Sequence, residues 1–269
     1  MSNQLSIKRS IIKIGIDKPI KFLHITDAHI DIIKACGKEE NVSFYEEAMK
    51  YAQENGMFVV CTGDNFKGIS EDNIAYALKN IYGENNIFLI GNHDFCACPD
   101  NLGLGDPAYQ EEYAEKWAPC YAQNMYFDSI IIGGVNFVML QNIYYSISYD
   151  QIQLLQAEVS KGYPIVLCMH IPLFSTKKAD EILATWARCG YMIAPPEKYY
   201  VRYNERHQKE QIPSSETLES VGYISKQPAI KAIIAGHIHE NFDGYADCGI
   251  RQITTAPLKD GVVRIIEII

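Results

Sequence analysis

A chain of 269 residues with 48% hydrophobic and 21% charged residues has the composition of a folded globular protein and can bury a large core. Its formal net charge of −9 argues against general affinity for nucleic-acid backbones, so no nucleic-acid duplex is expected as a partner. No apolar run approaches the roughly 20 residues that a membrane span needs, so no membrane association is expected either.

The cysteines indicate a reducing environment. Eight are scattered along the chain, and the N-terminal residues lack the apolar stretch and cleavage site of a secretory signal. Cys61 and Cys168 lie inside apolar runs, where a buried and reduced thiol is the usual outcome. We therefore expect reduced thiols and a cytoplasmic location.

In the first third of the chain, short apolar strands alternate with helices. Strands are predicted over residues 20–26, 57–62 and 86–90. Ser43 and Glu46 form a capping-box pattern that predicts a helix running to about residue 55, and a second helix is predicted over residues 70–82. This alternation is typical of βαβ units and a largely parallel sheet.

The middle and the end of the chain have a different pattern. Residues 125–132 and 135–141 flank a Gly-Gly pair, which predicts a β-hairpin. Ser148 and Gln151 form another capping-box pattern, which predicts a helix ending near residues 161–162. Apolar strands follow over residues 164–169 and 230–235, and from residue 241 onward we expect short antiparallel strands that close the sheet. The residues alone indicate one α/β domain over residues 1–269, with a mixed sheet core and helices outside.

Two segments carry no clear secondary-structure pattern. Residues 96–105 are rich in Gly, Pro and Asp and are predicted to form a loop. Residues 191–227 are polar and rich in tyrosine, and Pro195, Pro196 and Pro213 are expected to break regular structure there. Long loops in compact domains often cover functional sites, so we expect substrate selectivity to reside in these two segments.

Five predicted strands end in residue types that ligate metals. The residues that follow the strands are Asp27-Ala28-His29, Gly63-Asp64-Asn65, Gly91-Asn92-His93-Asp94, His170 and Gly236-His237-Ile238-His239. Five of the seven histidines fall in these clusters. Ligands bind at the carboxyl ends of strands in open α/β sheets, and mixed carboxylate and imidazole donors suit Mn, Fe or Zn. The glycines before the ligands, Gly63, Gly91 and Gly236, are expected to let the backbone turn sharply.

These motifs together resemble the calcineurin-like metallophosphoesterase superfamily. Its pattern is Asp-x-His, Gly-Asp, Gly-Asn-His-Asp/Glu, a lone His and Gly-His-x-His, and all five blocks occur in order over residues 22–239. The closer likeness is to the branch of cyclic-nucleotide phosphodiesterases and purple acid phosphatase-like enzymes. The resemblance implies an α/β fold, a four-layer metallophosphoesterase sandwich in which helices flank two mixed β-sheets.

The resemblance also implies two divalent metal ions, with Mn, Fe or Zn as candidates. The implied ligands of the first ion are Asp27, His29, Asp64 and His239, and those of the second are Asp64, Asn92, His170 and His237. Asp64 would therefore bridge the two ions. A hydroxide between them would attack phosphorus in line with the leaving oxygen, and His93 would act as the general acid that protonates that oxygen.

One position departs from the family pattern. Many members have an Asp three residues after the bridging carboxylate, where it orients the catalytic histidine, but this chain has Lys67. Either Asp94 or a backbone carbonyl would then orient His93. Lys67 is expected to be a solvated surface residue, and a contact with the phosphate is the alternative.

Several other side chains have a structural interpretation beside a functional one. His24 lies inside a predicted strand and is expected to be a core histidine with satisfied hydrogen bonds. His207 is expected to be a solvated helix residue, with a substrate contact as the alternative. Tyr199, Tyr200 and Tyr203 are expected to pack their segment against the domain, or else to stack on a nucleobase.

These observations predict a metal-dependent phosphoesterase that acts on a small phosphorylated molecule, with a phosphodiester favoured. A calcineurin-type protein phosphatase is disfavoured because the motif Gly-Asp-Asn-Phe-Lys-Gly lacks the phosphate-binding arginine of that group. A DNA nuclease is disfavoured by the negative charge. A phosphomonoesterase or protein phosphatase of the same fold and a metal-binding scaffold without catalysis stay as alternatives. The oligomeric state cannot be read from the sequence.

Overall fold

The computed structural model describes residues 4–32, 42–81, 86–96, 110–186 and 191–269, and within these ranges the chain forms eleven β-strands and seven α-helices. The strands are Ser6–Ile12 (β1), Ile20–Ile25 (β2), Phe58–Cys61 (β3), Ile87–Phe88 (β4), Phe127–Ile132 (β5), Val135–Leu140 (β6), Ile165–Cys168 (β7), Ile230–Ala235 (β8), Phe242–Tyr245 (β9), Arg251–Thr254 (β10) and Val262–Ile268 (β11). The helices are Val42–Glu54 (α1), Glu71–Asn80 (α2), Gln110–Trp117 (α3), Tyr149–Ser160 (α4), Thr176–Trp186 (α5), Glu205–Gln211 (α6) and Ser215–Ser225 (α7).

The strands form two mixed sheets. The first has the order β1-β11-β2-β3-β4, and the second has the order β5-β6-β7-β8-β10-β9. In the first sheet β2, β3 and β4 run parallel, and β11 is antiparallel to β2 but parallel to β1. In the second sheet β6, β7, β8 and β10 run parallel, with β5 and β9 antiparallel at the two edges.

The hydrophobic core lies in three layers, one between the sheets and one under the helices on each side. Phe22 and Phe137, from different sheets, belong to the cluster between the sheets. Ala48 of α1 belongs to the cluster on the outer face of the first sheet. Leu155 of α4 and Ile224 of α7 belong to the cluster on the outer face of the second. The four-layer sandwich with two mixed sheets is therefore confirmed.

Most predicted strands and two predicted helix starts are confirmed. The β5–β6 hairpin forms at the predicted Gly-Gly turn. Ser70 caps α2 by accepting a hydrogen bond from a backbone N–H in the first turn. At α4, Ser148 and Gln151 form both hydrogen bonds of the predicted capping box. These features depend on residues close together in the chain, which explains why local patterns predicted them.

Two predictions about element ends are wrong. Ser43 is not an N-cap, because it lies inside α1, which begins at Val42. The strand predicted over residues 86–90 has only the two ladder residues of β4. Leu89 N still donates to Cys61 O at 2.9 Å, so the chain stays beside β3 as it approaches the next motif.

The prediction of short antiparallel strands that close the sheet from residue 241 onward is confirmed only in part. β9 pairs antiparallel with β10 and β11 pairs antiparallel with β2, but the two pairs lie in different sheets. β10 pairs in parallel with β8 in the second sheet, whereas β11 enters the first sheet between β1 and β2. β1 itself, near the start of the chain, was not predicted. Local periodicity indicates that a segment is extended, but it does not identify a partner strand that is distant in the chain.

Much of the segment from residue 191 to residue 227 is helical and is not the long loop that was predicted. A short 3-10 helix over Glu197–Arg202 is followed by α6 and α7. Asn204 and Ser214 cap these two α-helices, and Pro213 lies just before the second cap. A proline directly before a helix is compatible with its start, so Pro213 does not break the structure here. The loop predicted over residues 96–105 lies outside the described residues except for Cys96.

Three expectations about the whole chain have different outcomes. None of the five described cysteines, Cys61, Cys96, Cys120, Cys168 and Cys248, forms a disulfide with another described residue, and the other three cysteines lie outside the described residues. None of the described helices is long and apolar enough to cross a membrane. The assignment of residues 1–269 to a single domain stays a prediction.

Candidate metal centre

The carboxyl ends of strands from both sheets bring the predicted ligands together. Asp27 follows β2 and Asp64 follows β3 in the first sheet, whereas His170 follows β7 and His237 follows β8 in the second. Asn92 follows the short β4. The site therefore lies where corresponding edges of the two sheets meet, as ligand sites of open α/β sheets do.

Most of the predicted ligands have a strained backbone. Eight non-glycine residues have a positive φ among those described, and five of them are predicted ligands. These five are Asp27 (53°), His29 (48°), Asp64 (52°), His237 (67°) and His239 (55°), and the other three are Tyr145, Tyr191 and Ala194. A left-handed conformation costs a non-glycine residue roughly 1–3 kcal/mol and concentrates at functional sites. The surrounding structure therefore holds these ligands against their own conformational preference.

The three glycines beside the ligands have two different roles. Only Gly63 has a positive φ, 101°, so only there is the predicted sharp turn confirmed. A Cβ on Gly91 would lie 2.1 Å from Asp64 Oδ1, and a Cβ on Gly236 would lie 1.8 Å from Thr26 Oγ1. At these two positions glycine is needed for close approach, because any side chain would displace the carboxylate or its neighbour.

The first ligand cluster contains Asp27, His29, His239 and one oxygen of Asp64. His29 Nε2 lies 3.1 Å from His239 Nε2, and His239 Nε2 lies 3.2 Å from Asp27 Oδ1. Asp64 Oδ2 lies 3.8 Å from His29 Nε2. Two imidazole nitrogens and two carboxylate oxygens therefore converge, a donor set that suits a first-row divalent ion.

The second ligand cluster contains Asn92, His170, His237 and the other oxygen of Asp64. His170 Nε2 lies 3.3 Å from Asp64 Oδ1, 3.1 Å from Asn92 Oδ1 and 3.3 Å from His237 Nδ1. Asp64 thus directs Oδ2 to the first cluster and Oδ1 to the second. This division of its two oxygens is compatible with a carboxylate that gives one oxygen to each of two ions.

The protein groups fit two divalent cations. Asp27 Oδ1 is buried and accepts no hydrogen bond from any described residue, although His239 lies nearby. His170 Nδ1 donates to Thr62 O at 2.7 Å, which leaves the lone pair of Nε2 directed into the second cluster. A buried carboxylate oxygen without a donor is costly unless a cation neutralises it.

The buried charges also favour cation binding. Burial alone would raise the pKa of the Asp64 carboxyl, but the charges of His170 and His93 outweigh it and hold that pKa well below its usual range. Burial would lower the pKa of His170, but Asp64 raises it to about 9. Burial and the charge of His170 lower the pKa of His237 to about 3. The protein groups alone therefore favour a proton on His170 beside an ionised Asp64, and a divalent cation replaces that proton when it binds.

His93, the predicted general acid, lies beside the first cluster. Its ring packs edge-on against His29, with the centroids 4.7 Å apart, and its backbone N donates to Asp64 Oδ1 at 2.8 Å. Its Nδ1 is buried and has no hydrogen-bond partner among the described residues. The proposed orientation of His93 by Asp94 or by a backbone carbonyl is therefore not found in the described part of the chain.

Asp94 instead holds the loops beside the site. Its carboxylate accepts hydrogen bonds from Gly91 N at 2.7 Å and from Phe66 N at 2.8 Å. Burial, together with the charge of Asp64, raises the pKa of Asp94 to about 7. Lys67, at the position that departs from the family pattern, is half-buried, and its backbone N donates to Ile30 O at 3.0 Å.

Two residues that hydrogen-bond to ligand histidines were not predicted from the sequence. Tyr145 is buried, and its hydroxyl lies 2.7 Å from His237 Nε2, so it fixes the ring with Nδ1 facing the second cluster. Thr62 fixes His170 in the same way through its carbonyl oxygen. Tyr145 is separated from His237 by 92 positions, and no local motif marks it. Thr62 directly precedes the Gly-Asp motif, which is the one local signal that could have indicated it.

The structure shows the surroundings of the side chains for which the sequence allowed both a structural and a functional interpretation. His24 is buried between Thr62 Oγ1 at 2.9 Å and Thr255 Oγ1 at 2.7 Å, which confirms a core histidine with satisfied hydrogen bonds. Tyr199 and Tyr203 are buried in a cluster under the 3-10 helix, as the packing interpretation predicted. His207 is half-buried on α6 and contacts the ring of an aromatic neighbour, so it is not fully solvated.

The comparisons with known proteins agree with this geometry. Residues 20–241 match the family model of calcineurin-like phosphoesterases. The fold is similar to that of a dimetal phosphatase from Danio rerio, with 14% identity and a TM-score of 0.55 over 90% of this chain and 88% of that chain. It is also similar to the purple acid phosphatase PPD1 from yellow lupin (Lupinus luteus) seeds, with 12% identity and a TM-score of 0.54 over 91% of this chain and 44% of that chain. No curated protein sequence matches.

Proposed function

Because the chain belongs to the calcineurin-like phosphoesterase family and is a metal-dependent phosphoric ester hydrolase, we propose that it hydrolyses a small-molecule phosphodiester at a dinuclear centre of Mn, Fe or Zn. The observation that carries the proposal is the division of Asp64 between two ligand clusters, with Oδ1 near His170 and Oδ2 near His29. Seven residues would hold the ions, namely Asp27, His29, Asp64, Asn92, His170, His237 and His239.

The residues of the chain have separable roles in the proposed reaction. When bound, the two ions supply positive charge to the phosphoryl oxygens and acidify a water molecule. The bond from phosphorus to the leaving oxygen breaks as the oxygen of water bonds to phosphorus, and the proton of that water passes to solvent. His93 gives its proton to the leaving oxygen. Because Nδ1 of His93 is buried, Nε2 is the ring nitrogen that would donate.

The preference for a diester rests on charge. A phosphomonoester carries a second ionisable oxygen, whose negative charge is best compensated by a further cation such as arginine. The motif over residues 63–68 provides a lysine but no arginine, and the chain as a whole has a net charge of −9. The diester monoanion needs less compensation beyond the two ions, so it suits this site better than a monoester or a phosphoprotein.

A metal-binding scaffold without catalysis is the second candidate. Two observations favour it. Nδ1 of His93 has no hydrogen-bond partner among the described residues, and Lys67 occupies the position of the usual orienting acid. The complete ligand set favours an enzyme. A cytoplasmic location is part of the proposal and is supported by the five described cysteines, which form no disulfide among the described residues and four of which are buried.

The test is the hydrolysis of bis-p-nitrophenyl phosphate and p-nitrophenyl phosphate by metal-stripped protein, with Mn²⁺, Zn²⁺ or Fe²⁺ added back. We expect no turnover without metal and faster turnover of the diester with it. Faster turnover of the monoester would transfer the proposal to a phosphomonoesterase. Binding of two metal equivalents without turnover of either ester would support the scaffold instead.

A further inference from the structure

An aromatic wall stands beside the second ligand cluster. The ring of Tyr191 lies 6.2 Å from the ring of His237 and 5.4 Å from that of His207, and both contacts are edge-on. Tyr145 contacts the same ligand, with its centroid 5.5 Å from that of His237. The wall, defined as Tyr191 and His207, is half-buried and therefore partly open to solvent. The ring of Tyr191 is therefore a direct neighbour of a ligand of the second cluster.

The backbone holds Tyr191 in this place under strain. Tyr191 has a φ of 50° and Ala194 has a φ of 57°, so the short connection between them is left-handed at two non-glycine positions. Ile193 lies between them, donates to Pro172 O at 2.9 Å and accepts from Phe174 N at 2.9 Å. These bonds tie the connection to the residues that follow the ligand His170. Strain that the surrounding structure maintains is typical of functional positions.

The helix that carries His207 also carries a buried polar side chain, Gln211. Gln211 is 1% exposed, and neither its amide nitrogen nor its amide oxygen has a hydrogen-bond partner among the described residues. It lies one turn beyond His207 on α6, so both side chains are on the same helix face. A buried amide without partners is costly unless a ligand or a water supplies them.

The wall and the predicted general acid lie at opposite ends of the metal centre. His93 contacts His29 of the first cluster, whereas Tyr191 contacts His237 of the second. The leaving oxygen must lie near His93 to receive its proton. A group near Tyr191 is therefore the one that stays on phosphorus after the reaction. A diester has such a group, and a monoester does not.

Other tyrosines of the same segment show what simple packing looks like. Tyr199 and Tyr203 are 5% and 4% exposed, have no positive φ, and lie in a hydrophobic cluster. Tyr191 packs partly against the same cluster and against the cluster on the outer face of the second sheet. It differs from Tyr199 and Tyr203 because it is half-buried, has a positive φ and lies beside the ligand His237.

We propose that Tyr191 and His207 bind the organic group that stays on phosphorus, and that this group is planar and aromatic or heteroaromatic. The inference rests on the proposed diesterase function and specifies which part of the substrate the chain selects. Edge and face contacts with aromatic side chains favour planar rings over alkyl groups.

The test uses substrates that differ only in the retained group. p-Nitrophenyl phenylphosphonate and p-nitrophenyl methylphosphonate have the same leaving group, but phosphorus keeps a phenyl ring in one and a methyl group in the other. With Mn²⁺-loaded full-length protein we expect the phenyl ester to be preferred in kcat/KM. Tyr191→Ala should reduce that preference about tenfold, mainly through KM, because a stacked ring contributes on the order of that factor.

Two further variants and a binding measurement make the result specific. Tyr191→Phe retains the ring and should retain the preference, and Tyr200→Ala removes a tyrosine of the same segment and should change neither substrate. Calorimetric titration with phenylphosphonate and methylphosphonate should show the same loss of aromatic preference in Tyr191→Ala without any turnover. Equal losses on both substrates, or an unchanged preference, would overturn the inference while leaving the proposed function intact. Wild-type protein that binds Mn²⁺ but cleaves neither ester would overturn both.

Discussion

The two halves of the metal centre share Asp64 but are held in different ways. In the second half, Thr62 O fixes His170 and the hydroxyl of Tyr145 fixes His237, each through the ring nitrogen that faces away from the cluster. In the first half, the side chain of His239 is 28% exposed. Ligands that are fixed from behind are pre-organised for their ion. We therefore expect the second half to bind its ion more tightly and the first half to exchange its ion more readily.

The neighbours of the two halves differ as well. The first half contacts His93, which would move a proton, whereas the second contacts Tyr191, which would select the substrate. The proposed proton donor and the proposed recognition surface therefore lie beside different halves of the centre. Under this proposal the second half would position the substrate, and the leaving group would depart beside the more accessible first half.

The largest expected effect comes from removing what the two halves share. Asp64→Asn leaves only one good donor atom in place of two, so the binding of both ions should be weakened. As a result, kcat/KM for bis-p-nitrophenyl phosphate should fall on the order of a thousandfold. The measurement is steady-state kinetics together with metal analysis of the purified variant. Asp72→Asn, on the exposed start of α2, is the matched control and should behave as wild type. Two retained metal equivalents with wild-type rates in Asp64→Asn would contradict the bridging role.

A smaller effect is expected from a change of His93, which lies beside the first half of the centre. His93→Gln should lower kcat roughly a hundredfold for a diester with a poor alkoxide leaving group, because that oxygen needs a proton. The same variant should affect a p-nitrophenyl ester much less, since p-nitrophenolate leaves without protonation. Comparison of the two substrates in the one variant supplies the control. A uniform loss on both substrates would indicate that His93 supports the first cluster and is not the general acid.

In the second half of the centre, the hydroxyl of Tyr145 should contribute to metal affinity. Tyr145→Phe keeps the ring but loses the contact with His237 Nε2, and outer hydrogen bonds of this kind contribute roughly 10- to 100-fold to affinity. We expect the low end of that range, about tenfold, on the tighter of the two Mn²⁺ dissociation constants. Tyr149→Phe removes an exposed hydroxyl bonded to Glu219 and should change neither constant. A change confined to the weaker site would reverse the assignment of the two halves.

The smallest expected effect concerns His24, which lies behind Thr62. Burial and the charge of Arg264 lower the pKa of His24 from 6.5 to about 3, so the folded protein keeps it neutral while the unfolded chain protonates it below pH 6.5. Stability is therefore unaffected by His24 above pH 6.5 and falls below it by about 1.4 kcal/mol per pH unit. Urea unfolding of metal-free protein between pH 7 and pH 5 should show a correspondingly shallower pH dependence in His24→Gln. Parallel curves for the two proteins would contradict this account.

The ligand positions could be predicted because local patterns mark them. Asp27, Asp64 and His170 each follow a short apolar run, and the carboxyl ends of such strands are where sites form. The capping box at Ser148 was predicted for a similar reason, because both of its partners lie in one helical turn. Each of these features depends on residues that lie within a few positions of one another in the chain.

The features that escaped prediction depend on distant residues. Tyr145 follows β6 and His237 follows β8, so their contact depends on strands of the second sheet that are distant in the chain. β11, from the other end of the chain, lies between β1 and β2. Gly91 was expected to supply a turn, but its role is to leave space for Asp64, and that role depends on tertiary contacts. The polar composition of residues 191–227 masked three helical segments, although the caps of two of them, Asn204 and Ser214, were present in the sequence.

The most direct test of the central claim is a crystal structure of the protein soaked in Mn²⁺, with anomalous difference maps. We expect two peaks, about 3.5–4 Å apart, with Asp64 Oδ1 bound to one and Oδ2 to the other. The peak beside His170 and His237 should have the higher occupancy at limiting Mn²⁺. A single peak, or two peaks of which only one contacts Asp64, would rule out a bridging Asp64.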